Sequence, residues 1–231
     1  MIRAVFMDID NTLLDFDAAA QEGMEHCFED AGLTYKPEMF AVFKEENDQI
    51  WKKIEQGILT MDDLPYVRWQ AILKKLGLEA DGVAMEMLFR KCLFYSAVPV
   101  EGAKEILDYL QGKYILCTAS NGPYEQQICR LKKADMLKDF DHCFVSEKIG
   151  VDKPDVRFFE HCLEQLPGIR AEECMIVGDS LTADIAGGQA AGMETCWFCR
   201  EKMEEAELEN VKRTHKADHV IKHLDELKNL L

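Results

Sequence analysis

The sequence predicts an α/β protein whose core is a Rossmann-like, doubly wound parallel sheet, with an all-helical domain inserted after the first strand. Residues 2–7 form a short run that is apolar except for Arg3, which is typical of a parallel strand buried on both faces. Residues 17–96 carry only the three- and four-residue apolar spacing of helices. From residue 99 onward, apolar runs of strand length alternate with amphipathic segments, which indicates a parallel sheet with crossover helices.

The inserted block is predicted to be a helical bundle, because four helical segments follow one another with short connections. Glycines stand where helix ends are expected, at Gly32, Gly57 and Gly77. We therefore assign residues 15–98 to a helical cap domain, and residues 1–14 and 99–231 to the α/β core. The predicted cap helices span residues 17–31, 37–55, 60–76 and 81–97.

The core segments alternate as crossover connections require. The first of its helices, at residues 103–110, carries apolar residues at the i, i+3, i+4 and i+7 positions of one face. Residues 200–216 are expected to be a charged surface stretch. The other predicted strands span residues 114–118, 142–145, 174–177, 195–198 and 218–221, and the other helices span residues 123–133, 156–165, 182–191 and 223–230.

The charge balance restricts the partners that the chain can bind. Its 231 residues include 27 basic and 43 acidic side chains, which gives a net charge of −16 with neutral histidines. Such a charge repels a phosphate backbone, so we expect no nucleic-acid polymer as a partner. A small anionic substrate stays compatible, provided that a bound cation and a few lysines reverse the field locally.

Composition also predicts where the protein works. No run of 18 apolar residues occurs, so we expect no membrane partner. The nine cysteines are scattered singly, mostly inside apolar segments, which favours reduced thiols over a disulfide framework. The amino terminus lacks the features of a secretion signal. We therefore expect a cytoplasmic protein, either a monomer or a homodimer.

Polar residues that directly follow strands are the candidates for a functional site, because ligands bind at the carboxyl ends of strands in such sheets. Asp8 and Asp10 follow the first strand, close enough to share one site and to repel each other. This pair calls for a cation, and it allows one carboxyl group to stay ionised while the other carries a proton. A calcium loop is excluded, because Leu13 and Ala19 stand where that loop needs glycine and glutamate.

Later strands contribute three further candidate segments. Ser120 and Asn121 offer a hydroxyl and backbone N–H groups that can face a phosphate, and Lys153 stands beside a proline just before a helix. Asp179 occupies the position of a metal ligand after a strand, and Asp184 falls early in the next helix. Taken singly, the serine–asparagine segment is also typical of a turn, and the lysine of a solvated surface charge.

Together and in this order, the four segments resemble the motifs of the haloacid dehalogenase superfamily. The helical block resembles the small helical cap of that superfamily, so the resemblance covers essentially the whole chain. The matching residues are Asp8, Asp10 and Thr12 for the DxDxT signature, Ser120 for the second motif, Lys153 for the third, and Gly178, Asp179 and Asp184 for the GDxxxxD form of the fourth.

The resemblance implies a Mg²⁺-dependent phosphatase that hydrolyses a small phosphorylated metabolite through an aspartyl-phosphate intermediate. It implies that Asp8 is the nucleophile and that Asp10 is the general acid and base. Mg²⁺ would be held by Asp8, by the backbone carbonyl of Asp10 and by Asp179. This cation would neutralise the phosphate and the nucleophile so that they can approach each other.

The resemblance also implies how the phosphate group is bound. Lys153, the Ser120 hydroxyl and the Asn121 N–H would hold the equatorial oxygens of the phosphate. Asp184 would act from behind these groups, by orienting Lys153 or a metal-bound water. The catalytic set implied in this way therefore comprises the two carboxylates of the first motif together with the serine and the lysine.

Within the superfamily, the chain is most similar to bacterial pyrimidine 5′-nucleotidases of the noncanonical-nucleotide type. The similarity lies in residues 10–17, 50–60, 146–151 and 191–197. It implies a nucleoside 5′-monophosphate as substrate. A helical lid that closes over the sheet would leave room for a small metabolite only.

Other activities occur on the same scaffold, and the residues of this sequence favour some of them over others. A sugar-phosphate or phosphoglycolate phosphatase, or a phosphoglucomutase, would use the same two aspartates. A dehalogenase lacks the second carboxylate, so Asp10 argues against it. A phosphonatase needs a lysine in the cap, for which Lys44, Lys52 and Lys53 are candidates. The complete set of motif residues argues against a binding protein without activity.

Overall fold

A six-stranded parallel sheet is the centre of the α/β core in the computed structural model, which describes residues 1–200 and 203–231. The strands lie in the order β3-β2-β1-β4-β5-β6, so the first strand is flanked by the second and the fourth. The reversal of strand order next to β1 opens the crevice in which such sheets bind ligands. The strands are β1 (Ala4–Met7), β2 (Ile115–Ser120), β3 (His142–Val145), β4 (Cys174–Gly178), β5 (Glu194–Phe198) and β6 (His219–Ile221).

The chain divides into two compact units. We call Met1–Asp15 with Pro99–Leu231 the core unit, and Phe16–Val98 the cap unit. The helices of the cap unit are α1 (Phe16–Asp30), α2 (Met39–Glu55), α3 (Leu64–Leu76) and α4 (Gly82–Tyr95). Those of the core unit are α5 (Ala103–Leu110), α6 (Tyr124–Lys133), α7 (Ser146–Ile149), α8 (Val156–Glu164), α9 (Ala186–Ala191) and α10 (Glu205–His215).

Both faces of the sheet are covered by apolar side chains from helices. Along β1, Val5 and Met7 belong to one buried cluster, which includes residues of α5 and α6. Ala4 and Phe6 point to the opposite face and belong to a second cluster, which includes residues of α8. Because successive side chains of a strand alternate between faces, a strand buried on both sides must be apolar throughout. The predicted doubly wound sheet is confirmed.

The helices of the cap unit pack around aromatic side chains. The ring centroids of Trp69 and Phe89 lie 5.6 Å apart, and those of Phe43 and Phe89 lie 5.2 Å apart. At the end of α3, Gly77 has a positive φ of 67°, and its N–H donates to the carbonyl groups of the last turn. This left-handed cap is what a glycine at the end of an apolar periodic segment predicts.

Some predicted elements differ in the structure. Residues 200–216 were expected to be a charged surface stretch, of which residues 201 and 202 lie outside the described residues. Most of the rest forms helix α10, which the scattered apolar residues of this stretch did not predict. Leu208 and Val211 of this helix pack against the cluster around Trp197. The predicted helix at 182–191 begins with a π-helical turn at Leu181–Ile185, and the last helix is a 3₁₀ helix at Leu224–Asn229.

The thiols and the lengths of the helices bear on the expectations from composition. All nine cysteines are free thiols, as their scattered positions predict. Among the helices of the described residues, none combines the length and the apolar character that crossing a membrane requires.

A buried ion pair joins α3 to α4 in the cap unit. The Arg68 guanidinium donates from Nη2 to Oε1 of Glu86 at 2.5 Å and from Nε to Oε2 at 2.9 Å. Its Nη1 donates to Asn47 Oδ1 at 3.1 Å, and the Arg90 Nε donates to Glu86 Oε1 at 2.8 Å. A buried charge is tolerated only when it is paired and hydrogen-bonded, so each member depends on the others.

Replacement of the buried glutamate should destabilise the cap unit. Glu86→Ala leaves the Arg68 cation buried without its counter-charge, and we expect the free energy of unfolding to fall by about 3–5 kcal/mol. Urea denaturation followed by tryptophan fluorescence measures this change. Glu45→Ala is the matched control, because Glu45 pairs with Lys75 on the surface and its loss should change stability little. Equal losses in both variants would contradict the role of burial.

Candidate active site

Three carboxylates converge at the carboxyl ends of two neighbouring strands. Asp8 directly follows β1, Asp179 directly follows β4, and Asp184 lies in the π-helical turn after it. Oxygen atoms of the three side chains lie within 4.8 Å of one another. The parallel register that places Met7 beside Val177 produces this convergence, because it brings both strand ends to the same level.

A buried lysine lies among these carboxylates. The Lys153 Nζ donates to Asp8 Oδ1 at 2.8 Å, to Asp184 Oδ1 at 2.6 Å and to the carbonyl oxygen of Ala119. Its three N–H bonds therefore all have acceptors. Burial alone would lower the pKa of this ammonium, but the charges of Asp184 and Asp8 outweigh burial and raise the pKa above its ordinary value. Lys153 is thus a cation that stays charged inside the protein.

Asn121 fixes the loop that carries this lysine. Its Oδ1 accepts from the backbone N–H of Lys153 at 2.8 Å, and its Nδ2 donates to the backbone carbonyl of Lys153 at 2.9 Å. The side chain of Asn121 therefore joins the end of β2 to the loop before α8. The sequence pointed to the backbone N–H of Asn121, whereas the structure shows that its amide side chain also has a positioning role.

The position of Asp184 requires a glycine at the end of β4. A Cβ atom on Gly178 would lie 2.1 Å from Asp184 Oδ2, far inside van der Waals contact. The same Oδ2 accepts from the Ser180 N–H at 3.0 Å, while Oδ1 is held by Lys153. Both oxygens of Asp184 are thus used by protein donors, which leaves Asp8 and Asp179 as the carboxylates open to a ligand.

Trp197 supports the Asp179 loop, and sequence reasoning did not find this residue. Its indole Nε1 donates to the backbone carbonyl of Asp179 at 2.8 Å. Trp197 of β5 lies opposite Gly178, the last residue of β4, so strand β5 supports the end of β4. The tryptophan at the centre of a predicted strand gave no indication of a polar contact.

Gln127 and Arg130, two residues of helix α6, connect Asp10 to Ser120. The sequence analysis did not single them out. Asp10 Oδ1 accepts from Arg130 Nη1 at 2.5 Å, and Oδ2 accepts from Gln127 Nε2 at 2.7 Å. The same Gln127 Nε2 donates to the Ser120 Oγ at 2.8 Å. The sequence did contain a signal of their burial. Gln127 and Arg130 are three residues apart on one helix and therefore share a face, and the apolar Leu131 is adjacent to Arg130.

The crowding of carboxylates changes how they titrate. Burial, together with the charges of Asp184 and Asp10, raises the pKa of Asp8 to about 7, although Lys153 acts in the opposite direction. Burial and the charge of Asp8 also raise the pKa of Asp179 well above its ordinary value. Both aspartates are therefore held in an environment that disfavours their negative charge.

This environment fits a hard divalent cation. The donors at the strand ends are oxygen atoms, which Mg²⁺ prefers to nitrogen or sulfur ligands. When all of them are ionised, the charged groups of the centre have a surplus of two negative charges, which a divalent cation would balance. These groups are the carboxylates of Asp8, Asp10, Asp179 and Asp184, and the cations of Lys153 and Arg130.

The fold and the site define a hydrolase of the haloacid dehalogenase type. Residues 2–192 match the family model described as haloacid dehalogenase-like hydrolase, and the chain belongs to this family. The resemblance found in the sequence is confirmed. The matched segment contains the four carboxylates, the serine and the lysine that sequence analysis singled out.

Three named relatives are similar over most of their length. The chain is 37% identical to the HAD-hydrolase YfnB of Bacillus subtilis, over 85% of this chain and 83% of that protein. It is 31% identical to the pyrimidine 5′-nucleotidase PynA of Streptococcus pneumoniae, with coverage of 85% and 83%. It is 29% identical to the pyrimidine 5′-nucleotidase YjjG of Escherichia coli, with coverage of 88% for both chains.

A solved structure supports the fold. The crystal structure of YfnB bound to magnesium has a TM-score of 0.87 to this chain, at 33% identity, and the comparison covers 100% of this chain and 98% of that one. YfnB is thus a magnesium-binding relative of the same fold. On this chain, the side chains of Asp8, Asp179 and Asp184 form a cluster that could hold a metal ion.

Substitution of the glycine before Asp179 tests how the lysine and carboxylates are arranged. In Gly178→Ala the new methyl group must displace Asp184, so Lys153 loses one of its two carboxylate partners. We expect hydrolysis of p-nitrophenyl phosphate to fall by about 100-fold or more, as misplacement by about 1 Å can cost. In an Asp184→Gly background, which also removes the Cβ atom that would lie 2.7 Å from the new methyl group, the same substitution should have little further effect. An equal loss in both backgrounds would contradict displacement of Asp184.

Proposed function

We propose that this hydrolase is a Mg²⁺-dependent phosphatase that cleaves small phosphate monoesters through an aspartyl-phosphate on Asp8, and that its substrates are pyrimidine nucleoside 5′-monophosphates. The observation that carries the proposal is the Asp8 carboxylate, which lies 2.8 Å from the ammonium of Lys153. Asp10 stands two residues further on, and the Ser120 hydroxyl ends the neighbouring strand. This arrangement supports the assignment of a nucleophile, an acid and base, and phosphate-binding donors to one crevice.

The chemistry requires that several groups act together, because uncatalysed hydrolysis of phosphate monoesters is among the slowest known reactions. An oxygen of Asp8 attacks phosphorus, and the bond from phosphorus to the ester oxygen breaks. Asp10 gives its proton to the departing alkoxide. In the second step Asp10 takes a proton from water, which attacks the same phosphorus, releases inorganic phosphate and restores the Asp8 carboxylate.

The phosphate oxygens need donors that are held in place before the reaction begins. Lys153 is held by Asp8 and Asp184 and its loop by Asn121, and a phosphate oxygen would replace one of the three acceptors that its N–H bonds now have. The Ser120 hydroxyl accepts from Gln127 and donates to the backbone carbonyl of Asn121 at 3.4 Å, a long hydrogen bond that a phosphate oxygen would replace. Preorganised donors of this kind stabilise charge that develops in the transition state.

A divalent cation fits the opposite side of the same crevice. Asp8, Asp179 and the backbone carbonyl of Asp10 would hold Mg²⁺, since both oxygens of Asp184 already accept from protein donors. The bound ion would offset the repulsion between the substrate phosphate and the Asp8 carboxylate. Family membership, the buried acidic cluster and the magnesium-bound relative support this assignment.

The substrate class rests on the relatives and on the charge of the chain. PynA and YjjG are pyrimidine 5′-nucleotidases by name, at 31% and 29% identity. The net charge of −16 disfavours long polyanions, so single nucleotides suit this chain better than polynucleotides. Every candidate substrate has the same phosphate group, so discrimination must come from groups that contact the base or the sugar.

Replacement of the nucleophile tests the covalent mechanism. Asp8→Asn keeps the shape of the side chain but removes its ability to attack phosphorus, so turnover should disappear while the fold persists. Phosphate release from UMP and circular dichroism measure the two properties. Asp225→Asn, the same change at an exposed carboxylate of the core unit, should retain full activity. Steady-state turnover by Asp8→Asn at the rate of this control would refute the aspartyl-phosphate.

Removal of the cation tests the metal assignment. Exhaustive treatment with EDTA should abolish phosphate release, and added Mg²⁺ should restore it, with Mn²⁺ as a partial replacement. The physical reason is the surplus of negative charge at the centre, which otherwise repels the substrate phosphate. Activity that survives complete chelation would exclude the cation from the mechanism.

A substrate screen tests the nucleotidase assignment separately from the chemistry. UMP, dUMP and dTMP should exceed AMP, GMP and glucose 6-phosphate in kcat/KM by at least about tenfold, or ~1.4 kcal/mol. Phosphate release under identical Mg²⁺ concentrations measures these ratios. If a sugar phosphate or phosphoglycolate led by the same factor, the nucleotidase assignment would be wrong and the phosphatase chemistry would stand.

A further inference from the structure

Two side chains of helix α6 connect the candidate acid and base to the candidate phosphate-binding hydroxyl. Arg130 Nη1 donates to Asp10 Oδ1 at 2.5 Å and to Gln127 Oε1 at 2.9 Å. The two N–H bonds of Gln127 Nε2 serve Asp10 Oδ2 at 2.7 Å and Ser120 Oγ at 2.8 Å. The four residues therefore form one continuous hydrogen-bonded network inside the core unit.

The local structure explains how the network forms. Helix α6 begins four residues after Ser120, so one strand–turn–helix segment supplies three of the four members. Gln127 and Arg130 are three residues apart and therefore share one face of the helix. This face is buried, and both side chains are shielded from solvent, whereas the side chain of Asp10 is 31% exposed. The carboxyl group of Asp10 is thus hydrogen-bonded to buried side chains and is still partly exposed to solvent.

The burial of Arg130 is hard to explain by stability alone. Its Nε and Nη2 are buried and have no hydrogen-bond partner within residues 1–200 and 203–231. An incompletely paired guanidinium in the interior is costly, and an apolar side chain of similar volume is often neutral or stabilising at such a position. The next residue in the chain, Leu131, is an apolar side chain that packs in the buried cluster of this region. The cation therefore has a role that a hydrophobic residue could not fulfil.

We infer that Arg130 and Gln127 are positioning residues, which hold the carboxyl group of Asp10 in one orientation and at a fixed distance from Ser120. This inference rests on the proposed phosphatase function. Each oxygen of Asp10 has its own donor, so rotation of the side chain would break two hydrogen bonds. Because Gln127 also donates to Ser120, the group that exchanges protons and the group that binds phosphate keep a constant separation.

Misplacement of Asp10 would affect two substrates differently, whereas a general loss of stability would affect both alike. A nucleotide has a poor leaving group, so transfer of its phosphate to Asp8 needs the proton from Asp10. The nitrophenolate of p-nitrophenyl phosphate leaves without a proton, so this transfer can proceed when Asp10 is misplaced. Hydrolysis of the intermediate still needs Asp10 as a base. A variant with a misplaced Asp10 should therefore accumulate phosphorylated Asp8 from p-nitrophenyl phosphate and not from UMP.

The experiment compares Arg130→Met with Arg130→Lys and with Lys132→Met, an exposed position on the same helix. For UMP, kcat and kcat/KM of Arg130→Met should fall together by about 100-fold, which indicates loss of an interaction used in the transition state. Arg130→Lys should recover part of the loss, and Lys132→Met should match the wild type. Rapid quenching and mass spectrometry should detect phosphorylated Asp8 in Arg130→Met with p-nitrophenyl phosphate.

Further variants exclude a purely structural explanation. In an Asp10→Asn background, Arg130→Met should cause no additional loss of kcat if it acts through Asp10. Gln127→Met removes the contacts with Asp10 and Ser120 but keeps the Arg130 ion pair, so it tests the network should Arg130→Met fail to fold. Circular dichroism verifies the fold of each variant.

The possible outcomes distinguish this inference from the function on which it rests. If the wild type releases phosphate and Arg130→Met or Gln127→Met behaves like Lys132→Met, the positioning role is wrong and the phosphatase stands. The same conclusion follows if Arg130→Met lowers kcat equally with Asp10 and with Asn at position 10. If the wild type cleaves no phosphate monoester in the presence of Mg²⁺, the proposed function is wrong, and the positioning role falls with it.

Discussion

The site depends on the ion pairs that the buried ammonium of Lys153 forms with Asp8 and Asp184. It lies 2.8 Å from an oxygen of Asp8 and 2.6 Å from one of Asp184, two carboxylates that would otherwise repel each other at close range. The dependence is mutual, because a buried lysine without these partners would lose its charge or destabilise the fold. Gly178 makes room for Asp184, and Asn121 fixes the loop of the lysine.

The sheet separates the site into two chemical halves. Strands β1 and β4 end in carboxylates, so their side of the crevice is negative and suited to a cation. The end of strand β2 and the Lys153 loop supply a hydroxyl, a backbone N–H and the Lys153 ammonium, which suit phosphate oxygens. A phosphate monoester between these halves would meet the nucleophile on one side and donors on the other. The order of the strands, with β1 between β2 and β4, brings the two halves together.

Most of the architecture could be predicted, because burial on both faces demands strands that are apolar throughout and helices with one apolar face. The run that ends at Met7 is an example, as its burial leaves Asp8 as the first residue that can be polar. Helix α10 was missed because its sequence is dominated by charged residues, and only a few apolar contacts hold it. Strand β2 extends to Ser120, two residues further than predicted, because pairing with β3 continues to that level.

The sequence by itself determined the candidate carboxylates, serine and lysine of the site, because several of these polar residues follow apolar strands and all of them occur in the order of the family's motifs. The tertiary structure alone decided which of them contact each other, and which residues distant in sequence support them. Arg130 and Trp197 contact Asp10 and the Asp179 loop through α6 and β5, and no spacing along the chain encodes these contacts. The physical reason is that a hydrogen bond depends on the packing of whole elements, whereas burial leaves its pattern in each element separately.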